Sequence, residues 1–223
     1  MSAQRAVDND PARPASGRLE RKRGRRIAAI LAAAAELLGE HGYDAVSLDD
    51  VADQLDVTKG SLYYYFASKD ELVTAAIEAL GNEWTARLER LPAAHDGPPG
   101  RRLHALISEH VTIAVREYPA ALRLFLEPRD WPGAQQARIK DLRRQHDQLF
   151  RRVVEEGVAS GEFTVTSVDT ALQCMHAAMS QAPVWCASLT GQALDDAIGE
   201  LTDTLMMLVG ERPATQAPRP WAG

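Results

Sequence analysis

The sequence predicts an all-α fold, and two features of its patterning carry that prediction. Apolar residues recur at steps of three and four along most of the chain, which is the spacing of one face of a helix. The alternation of apolar and polar residues that indicates a strand is not sustained anywhere. Serine, threonine, glycine and proline stand at the boundaries of the periodic segments, where helices commonly begin and end. We therefore expect a group of short helices followed by a larger helical region.

The helix boundaries follow from capping residues. Ser47 and Asp50 have the spacing of a capping box, and Ser68 begins a second one. Thr58 is suited to cap a short helix, and Gly42 is suited to the left-handed turn that ends a helix. The predicted helices are 23–40, 48–55, 58–65, 69–91, 103–117, 119–128, 134–159, 168–188 and 194–209, with an extended connector at 163–167.

The chain of 223 residues is long enough for two folded domains between two tails. Residues 1–20 are rich in proline and alanine without periodicity, and 211–223 are rich in proline, so both segments are predicted to be disordered. The folded domains are predicted at 21–83, with a motif at 47–66, and at 84–210. Because no apolar run is long enough for a membrane span or a secretory signal, we expect a cytoplasmic protein with no membrane partner.

The charge is unevenly distributed. The whole chain carries a net charge of −6, yet residues 13–26 hold seven basic residues against Glu20 alone, a local charge of +6. Nucleic acid responds to a local basic patch more than to the net charge of a protein. The N-terminal segment is therefore a candidate contact for a polyanion.

The third predicted helix has an unusual composition. Tyr63, Tyr64, Tyr65 and Phe66 are consecutive, so they point around the whole circumference of a short helix and cannot all be buried. A tyrosine ring packs well on a sugar or on a thymine methyl group, and its hydroxyl bonds to a phosphate. The start of this helix also presents N–H groups that suit a phosphate. Together with the preceding short helix, the segment is typical of a helix-turn-helix.

Residues 47–72 read SLDDVADQLDVTKGSLYYYFASKDEL and strongly resemble the DNA-binding domain of TetR-type transcriptional repressors. The most specific part is KGSLYYYF followed by SKDEL, and the similarity extends over about 23–83. The sequence departs from the family at Asp56, where glycine is common in the turn. Aspartate tolerates a left-handed backbone better than most residues, so the same turn is expected here.

The resemblance implies a homodimer that places its third helix in the major groove of a near-palindromic DNA operator. It also implies that Leu62 and Phe66 belong to the core. Tyr63 could instead pack between helices. The arginines before Ile27 could follow the adjacent minor groove, or they could simply form a solvated start of the first helix. The expected DNA contacts are Ser47, Thr58, Lys59, Gly60, Ser61, Tyr63, Tyr64, Lys69, Arg25 and Arg26.

For the larger domain, the resemblance implies binding of a small-molecule effector. The stretch 138–163 is loosely similar to the fatty-acid and acyl-CoA-responsive members of the family. Residues 135–152 carry six basic residues against two acidic ones, an excess that fits either an anionic ligand group or a solvated face. The candidate ligand-binding residues are Phe125, Trp131, Arg144, Phe150, Met175, Met179 and Trp185. The alternative for each of them is ordinary core packing.

The last helix is a candidate dimer interface. Its apolar stripe needs cover on more than one side, which the same helix of a second copy would provide. The stripe consists of Leu194, Ile198, Leu201, Leu205 and Leu208. The alternative is that these residues pack wholly inside their own subunit.

Other functional classes have less support. The six histidines include no pair at the spacing of a helical metal site, and there is no phosphate loop, nucleophile elbow or dinucleotide fingerprint. We therefore predict no catalytic residues, no metal and no cofactor. A protein that binds DNA by shape alone and a transcriptional activator remain as alternatives. Cys174 and Cys186 lie about 18 Å apart on a straight helix, too far for a disulfide unless Pro183 bends the helix.

Overall fold

The computed structural model describes residues 13–91, 95–117 and 132–210, and within these ranges it contains eight α-helices and no strand. The all-α prediction is confirmed. The helices are α1 Arg13–His41, α2 Leu48–Gln54, α3 Lys59–Tyr63, α4 Lys69–Glu89, α5 Pro99–Arg116, α6 Gly133–Ser160, α7 Val168–Trp185 and α8 Gly191–Met206, followed by a 3-10 turn at Met207–Val209. The helix predicted at 119–128 lies outside the described residues, as do Phe125, Trp131 and the tail 211–223.

The predicted capping of α2 and α4 is confirmed. Ser47 Oγ accepts a hydrogen bond from Asp50 N at 3.2 Å, and the Asp50 carboxylate accepts one from Ser47 N at 2.6 Å. Ser68 Oγ accepts one from Glu71 N at 3.1 Å. Thr58 differs, because its hydroxyl lies 2.9 Å from Ser61 Oγ and makes no capping bond to the backbone. The N-terminus of α3 therefore lacks a side-chain cap, and the Ser61 N–H donates to Thr58 O instead.

The turn between α2 and α3 has the left-handed backbone that the sequence predicts. Asp56 has a φ of 50°, and its N–H donates to Asp53 O. Gly42, with a φ of 79°, ends α1 in the same way. Both positions fit residue types that tolerate a left-handed backbone.

Helix α1 begins at Arg13, earlier than the predicted start at residue 23. Residues 18–26 are exposed, and Ile30 is the first buried side chain of the helix. Arginine, lysine, leucine and glutamate favour helix by themselves, but an exposed helical segment has no apolar period to reveal it. The predicted disorder of 1–20 was therefore wrong for residues 13–20.

The buried residues form two cores that share α4 and α6. The first core contains residues of α1, α2, α4 and the α3 region, together with Ile139 and Leu142 of α6. The second core joins the end of α4 to α5, α6, α7 and α8. Gly81 of α4 permits the close approach of α6, because a Cβ at Gly81 would lie 2.7 Å from Leu142 Cδ2. The small N-terminal domain is thus packed directly on the first half of α6.

The C-terminal elements agree with the predicted connector. Gly161 ends α6 with a φ of 78°, and Thr164 N donates to Val209 O at 2.9 Å. Pro183 is buried inside α7, and the helix continues past it to Trp185. Among the residues that the structure describes, no helix is long and apolar enough to cross a membrane.

Candidate nucleic-acid interface and ligand site

Helix α3 separates its residues into a buried face and an exposed face. Leu62 and Phe66 are buried, as predicted, in the same core as Ala52 of α2. On the other face, 48% of Tyr63 and 74% of Tyr64 is exposed. Two large aromatic residues exposed side by side, at the last residue and the C-cap of a five-residue helix, are unusual for a protein surface.

Tyr65 occupies an intermediate position. Its side chain is half-buried against the first core, and its ring makes an edge contact with Tyr64 at a centroid distance of 5.1 Å. Tyr65 thereby supports one side of the exposed Tyr64 ring. The two exposed tyrosines are Tyr63 and Tyr64, and Tyr65 belongs to their support.

Lys59, at the start of α3, is held by the neighbouring helix. Its Nζ lies 2.6 Å from Asp49 Oδ2 on α2 and 6.0 Å from the ring centroid of Tyr63. The hydrogen bond to Asp49 raises the pKa of Lys59 above its ordinary value. Both partners are about half exposed, so the pair lies on the same surface as the tyrosines.

The other predicted contacts at this end of the molecule are accessible to different degrees. Ser47, Thr58 and Gly60 are exposed, and Ser61 is partly exposed. Lys69 is partly buried, with its Nζ 4.1 Å from the ring centroid of Tyr43. Ser47 and Lys69 therefore have structural roles beside any contact with a ligand.

The helix-turn-helix is itself acidic. Residues 47–66 contain four aspartates and one lysine, a net charge of −3, whereas the cations of the region lie on α1. Arg25 and Arg26 are exposed on that helix with their neighbours. A helix is about 10–12 Å wide and a minor groove about 6 Å, so the arginine side chains of α1 could enter a minor groove but the helix itself could not. Its side chains can reach phosphates from outside the groove.

The candidate ligand residues divide into two groups. Phe150, Met175 and Met179 are fully buried in the second core. Arg144 instead lies on the outer face of α6, paired with Asp141, and 57% of Trp185 is exposed at the end of α7. Arg144 and Trp185 therefore do not line the interior that the other three share.

Sequence reasoning missed the most unusual feature of the second core. His110 of α5, His146 of α6 and His176 of α7 lie together beside Trp84 of α4, and we call these four residues the histidine cluster. Ring centroids are 4.9 Å apart for Trp84 and His110, 5.0 Å for His110 and His146, and 5.7 Å for His146 and His176. Spacing along one helix cannot reveal a cluster whose members come from different helices. The available signal was that each histidine lies on the apolar face of its helix.

Hydrogen bonds connect part of the cluster. His146 Nδ1 lies 3.2 Å from Thr85 Oγ1, and His146 Nε2 lies 3.1 Å from His110 Nδ1. His176 Nε2 lies 3.3 Å from Asp147 Oδ1. Trp84 Nε1, His110 Nε2 and His176 Nε2 are buried and make no hydrogen bond among the described residues, although His176 Nε2 is within ion-pair distance of Asp147.

Burial determines the charge of these histidines. It lowers the pKa of His146 to about 3, and it also lowers the pKa values of His110 and His176. All three imidazoles are therefore neutral at neutral pH. No group of three or more side chains arranged to hold a metal ion is found within the ranges that the structure describes.

An open groove of about 390 Å³ runs between α4 and α6. Its lining includes the polar side chains of Asn82, Gln145 and Gln148 and the charged side chains of Glu89 and Arg152. Thr85 also lines the groove, and its hydroxyl is the one that contacts His146. The groove thus adjoins the histidine cluster.

The apolar stripe of α8 packs mainly inside its own chain. Ile198 and Leu205 are buried in the second core, and Leu194 and Leu201 pack against it. Ile198 and Leu205 thus belong to the core of their own chain, and a dimer interface on the exposed part of the stripe at Leu208 stays a prediction. The large apolar side chains exposed in this part of the chain are Val184, Trp185, Met207 and Leu208.

Ion pairs join α4 to the larger domain. Arg138 of α6 donates to Glu71 Oε1 at 2.8 Å and to Glu78 Oε1 at 2.8 Å. These two carboxylates raise the pKa of Arg138. Arg87 of α4 bonds to Glu109 of α5 at 2.7 Å. Because α4 directly follows the helix-turn-helix, these contacts link the exposed tyrosines to the second core.

Comparison with known proteins covers both domains. The chain matches the family model "Bacterial regulatory proteins, tetR family" over residues 30–76 and "Tetracyclin repressor-like, C-terminal domain" over residues 96–206. A crystal structure of a transcriptional regulator of the TetR/AcrR family from Thermobifida fusca YX-ER1 is 30% identical, with a TM-score of 0.65 over 81% of this chain and 96% of that one.

Two further similarities are more distant. The fatty acid metabolism regulator protein of Bacillus subtilis (strain 168) is 23% identical over 133 residues, which are 60% of this chain and 68% of that protein. The crystal structure of the transcriptional regulator FadR from Bacillus subtilis in complex with stearoyl-CoA is 20% identical, with a TM-score of 0.69 over 82% of this chain and 98% of that one. At that identity, the structural likeness shows the fold alone.

Proposed function

We propose that this chain, which belongs to the TetR family of bacterial regulatory proteins, is a sequence-specific DNA-binding repressor that a small effector releases from its operator. The observation that carries the proposal is the exposed surface of α3, where Tyr63 and Tyr64 project from a helix whose other face is buried. A short helix with exposed aromatic and polar side chains fits the major groove, where base edges are read.

Each exposed group of this surface has a role in the proposal. The rings of Tyr63 and Tyr64 contact sugars or thymine methyl groups, and their hydroxyls bond to phosphates. The N–H groups at the start of α3 bind a phosphate, since Thr58 leaves them without a side-chain cap. The basic side chains of α1, which include Arg25 and Arg26, supply the phosphate attraction that the acidic helix-turn-helix lacks.

The protein acts as a homodimer on a near-palindromic operator in this proposal. The α3 helices of the two copies, which we call the reading helices, are related by a twofold axis. They recognise two half-sites that lie about one helical turn of DNA apart, or a multiple of that. The exposed apolar side chains after α7 and α8, among them Trp185 and Leu208, are the candidate surface for the second copy.

The effector binds in the larger domain and acts through α4. Phe150, Met175 and Met179 offer an apolar interior, which suits a fatty acyl group. The name of the Bacillus subtilis relative and the stearoyl-CoA bound to a protein of the same fold support this class. A movement of α6 reaches α4 through Arg138 and changes the distance between the two reading helices. A coupling of about 1–3 kcal/mol, or roughly 5- to 150-fold in operator affinity, is typical of such regulation.

Selection of bound sequences from random duplex DNA tests the DNA-binding part of this proposal. The wild-type chain should enrich an inverted repeat. Tyr64→Ala should lose or relax that repeat, with a loss of about 5- to 150-fold in affinity for the selected duplex. Tyr64→Phe is the matched control, because it keeps the ring and removes only the hydroxyl. If the folded wild-type protein enriches no sequence, with or without acyl-CoA, the proposal is wrong.

A further inference from the structure

We infer that the histidine cluster binds an uncharged carbonyl group of the effector, such as that of an ester or a thioester, in preference to a free carboxylate. This inference rests on the proposed role of the larger domain as an effector domain. It adds a polar recognition site and a chemical class of ligand to that role. The supporting observations are two buried nitrogen atoms without partners, a chain of hydrogen bonds, and the charge of the surroundings.

The cluster contains polar atoms that the described part of the chain does not satisfy. Trp84 Nε1 and His110 Nε2 are both buried without a hydrogen-bond partner there, and only 6% of His110 is exposed. Such atoms are rare in native proteins, and two on neighbouring rings need a common explanation. An indole N–H can only donate, so a ligand that satisfies Trp84 must carry an acceptor.

The hydrogen bonds around His146 set the role of the second atom. When the Thr85 hydroxyl donates to His146 Nδ1, His146 carries its proton on Nε2 and donates it to His110 Nδ1. His110 then carries its own proton on Nε2. In this tautomer, Trp84 and His110 offer one N–H donor each. A carbonyl oxygen has two lone pairs and can accept both.

The electrostatic surroundings favour an uncharged acceptor. Burial lowers the pKa of each histidine, so the imidazoles supply no positive charge at neutral pH. The nearest charged groups to His176 are Asp147 and Arg151, and Arg151 already pairs with Asp147 at 3.0 Å and with Asp169 at 2.7 Å. A carboxylate would lose its hydration without gaining a cation and would lie near the Asp147 carboxylate. A carbonyl avoids both costs.

The order of residues from the surface inward matches such a ligand. The groove between α4 and α6 is lined by polar side chains together with Arg152 and Glu89, which have opposite charges, so it suits an uncharged polar substituent. Thr85 and the histidine cluster come next, and Phe150 lies beside His110 and His146 at centroid distances of 5.8 and 5.4 Å. A molecule with a polar end, a carbonyl and then an apolar chain would meet these surfaces in that sequence.

Calorimetric titration of the full-length protein with methyl decanoate and with decanoate at pH 7.5 tests the inference. The two probes have the same acyl chain, which ends in an uncharged ester in one and in an ionised carboxylate in the other. We expect methyl decanoate to bind at least about 10-fold more tightly. Trp84→Phe and His110→Phe should each weaken methyl decanoate by about 3- to 10-fold, which is the effect of losing one hydrogen bond. His104→Phe, on the same helix α5 but with an exposed side chain, should leave the affinity unchanged.

Three results would overturn the inference. They are equal binding of the two probes, binding of neither probe, and unchanged affinity in both Trp84→Phe and His110→Phe. Binding of the selected operator duplex by the same preparation separates this failure from failure of the proposed function. Operator binding without a preference for the ester rejects the carbonyl site alone, whereas loss of operator binding in folded protein rejects the proposed function.

Discussion

Replacing His146 with glutamine should remove a large part of the acid sensitivity of the fold. His146 has a pKa of about 3 in the folded chain because burial opposes its charged form, against an ordinary value of 6.5. A histidine with a lowered pKa stabilises the fold fully above pH 6.5, and this stability is lost as the pH falls from 6.5 towards 3. In this pH range the unfolded chain binds a proton at His146 and the folded chain does not.

The magnitude follows from proton linkage. Between pH 7.5 and pH 5, His146 alone should reduce the free energy of unfolding by about 2 kcal/mol. His110 and His176 have pKa values that are lowered in the same direction, so the wild-type loss should exceed this amount. His146→Gln keeps a polar side chain that does not titrate. It changes the stability at pH 7.5 as well, but only the difference between the two pH values tests the argument.

Urea unfolding followed by far-UV circular dichroism, at one protein concentration and at both pH values, measures this difference. The variant should lose about 2 kcal/mol less than the wild type on acidification. His41→Gln, at the exposed end of α1, serves as the control and should lose as much as the wild type. If His146→Gln loses as much stability as the wild type, the histidine cluster is not a neutral buried site and the reasoning fails.

Two further predictions concern the contacts that flank the reading helix. Asp49→Asn should strengthen binding to a shuffled duplex by about 2- to 5-fold in fluorescence anisotropy, because it releases Lys59 to contact a phosphate. Asp53→Asn is the control, since it removes the same charge but leaves that ion pair in place. An equal gain in both variants would contradict the role of the Lys59–Asp49 pair. Arg138→Met should lower the free energy of unfolding, measured by thermal denaturation, by roughly 1 kcal/mol, because the ion pairs with Glu71 and Glu78 are lost. Lys140→Met, at an exposed position of the same helix, should change it little. Equal effects of the two variants would argue against the link between α4 and α6.

The helix-turn-helix could be predicted from the sequence because its main features depend on local interactions. The capping box of Ser47 and Asp50, the left-handed turn at Asp56 and the buried positions of Leu62 and Phe66 each depend on residues within a few positions of one another. Propensity and side-chain direction decide such features, and both can be inferred from the residue types. The opposite faces of α3 followed from the same reasoning.

Features that depend on contacts between distant helices were not predictable. Ile198 and Leu205 lie on an apolar stripe that suits a partner chain and its own core equally well, and their burial follows from the packing of the distant helix α5 against α8. The histidine cluster combines residues from four helices, with His146 and His110 separated by 36 positions. The early start of α1 escaped prediction for a different reason, since an exposed helix carries no apolar period.

The central claim is that α3 recognises a specific base sequence, and one ratio of affinities tests it most directly. Fluorescence anisotropy at about 0.15 M salt gives the Kd of the full-length protein for the selected duplex and for a shuffled duplex of the same composition. We expect the selected duplex to bind at least about 1000-fold more tightly, and Tyr64→Ala to reduce this ratio. A ratio near one, with an affinity that falls steeply as salt is added, would contradict the account and indicate a protein that binds DNA by charge and shape alone.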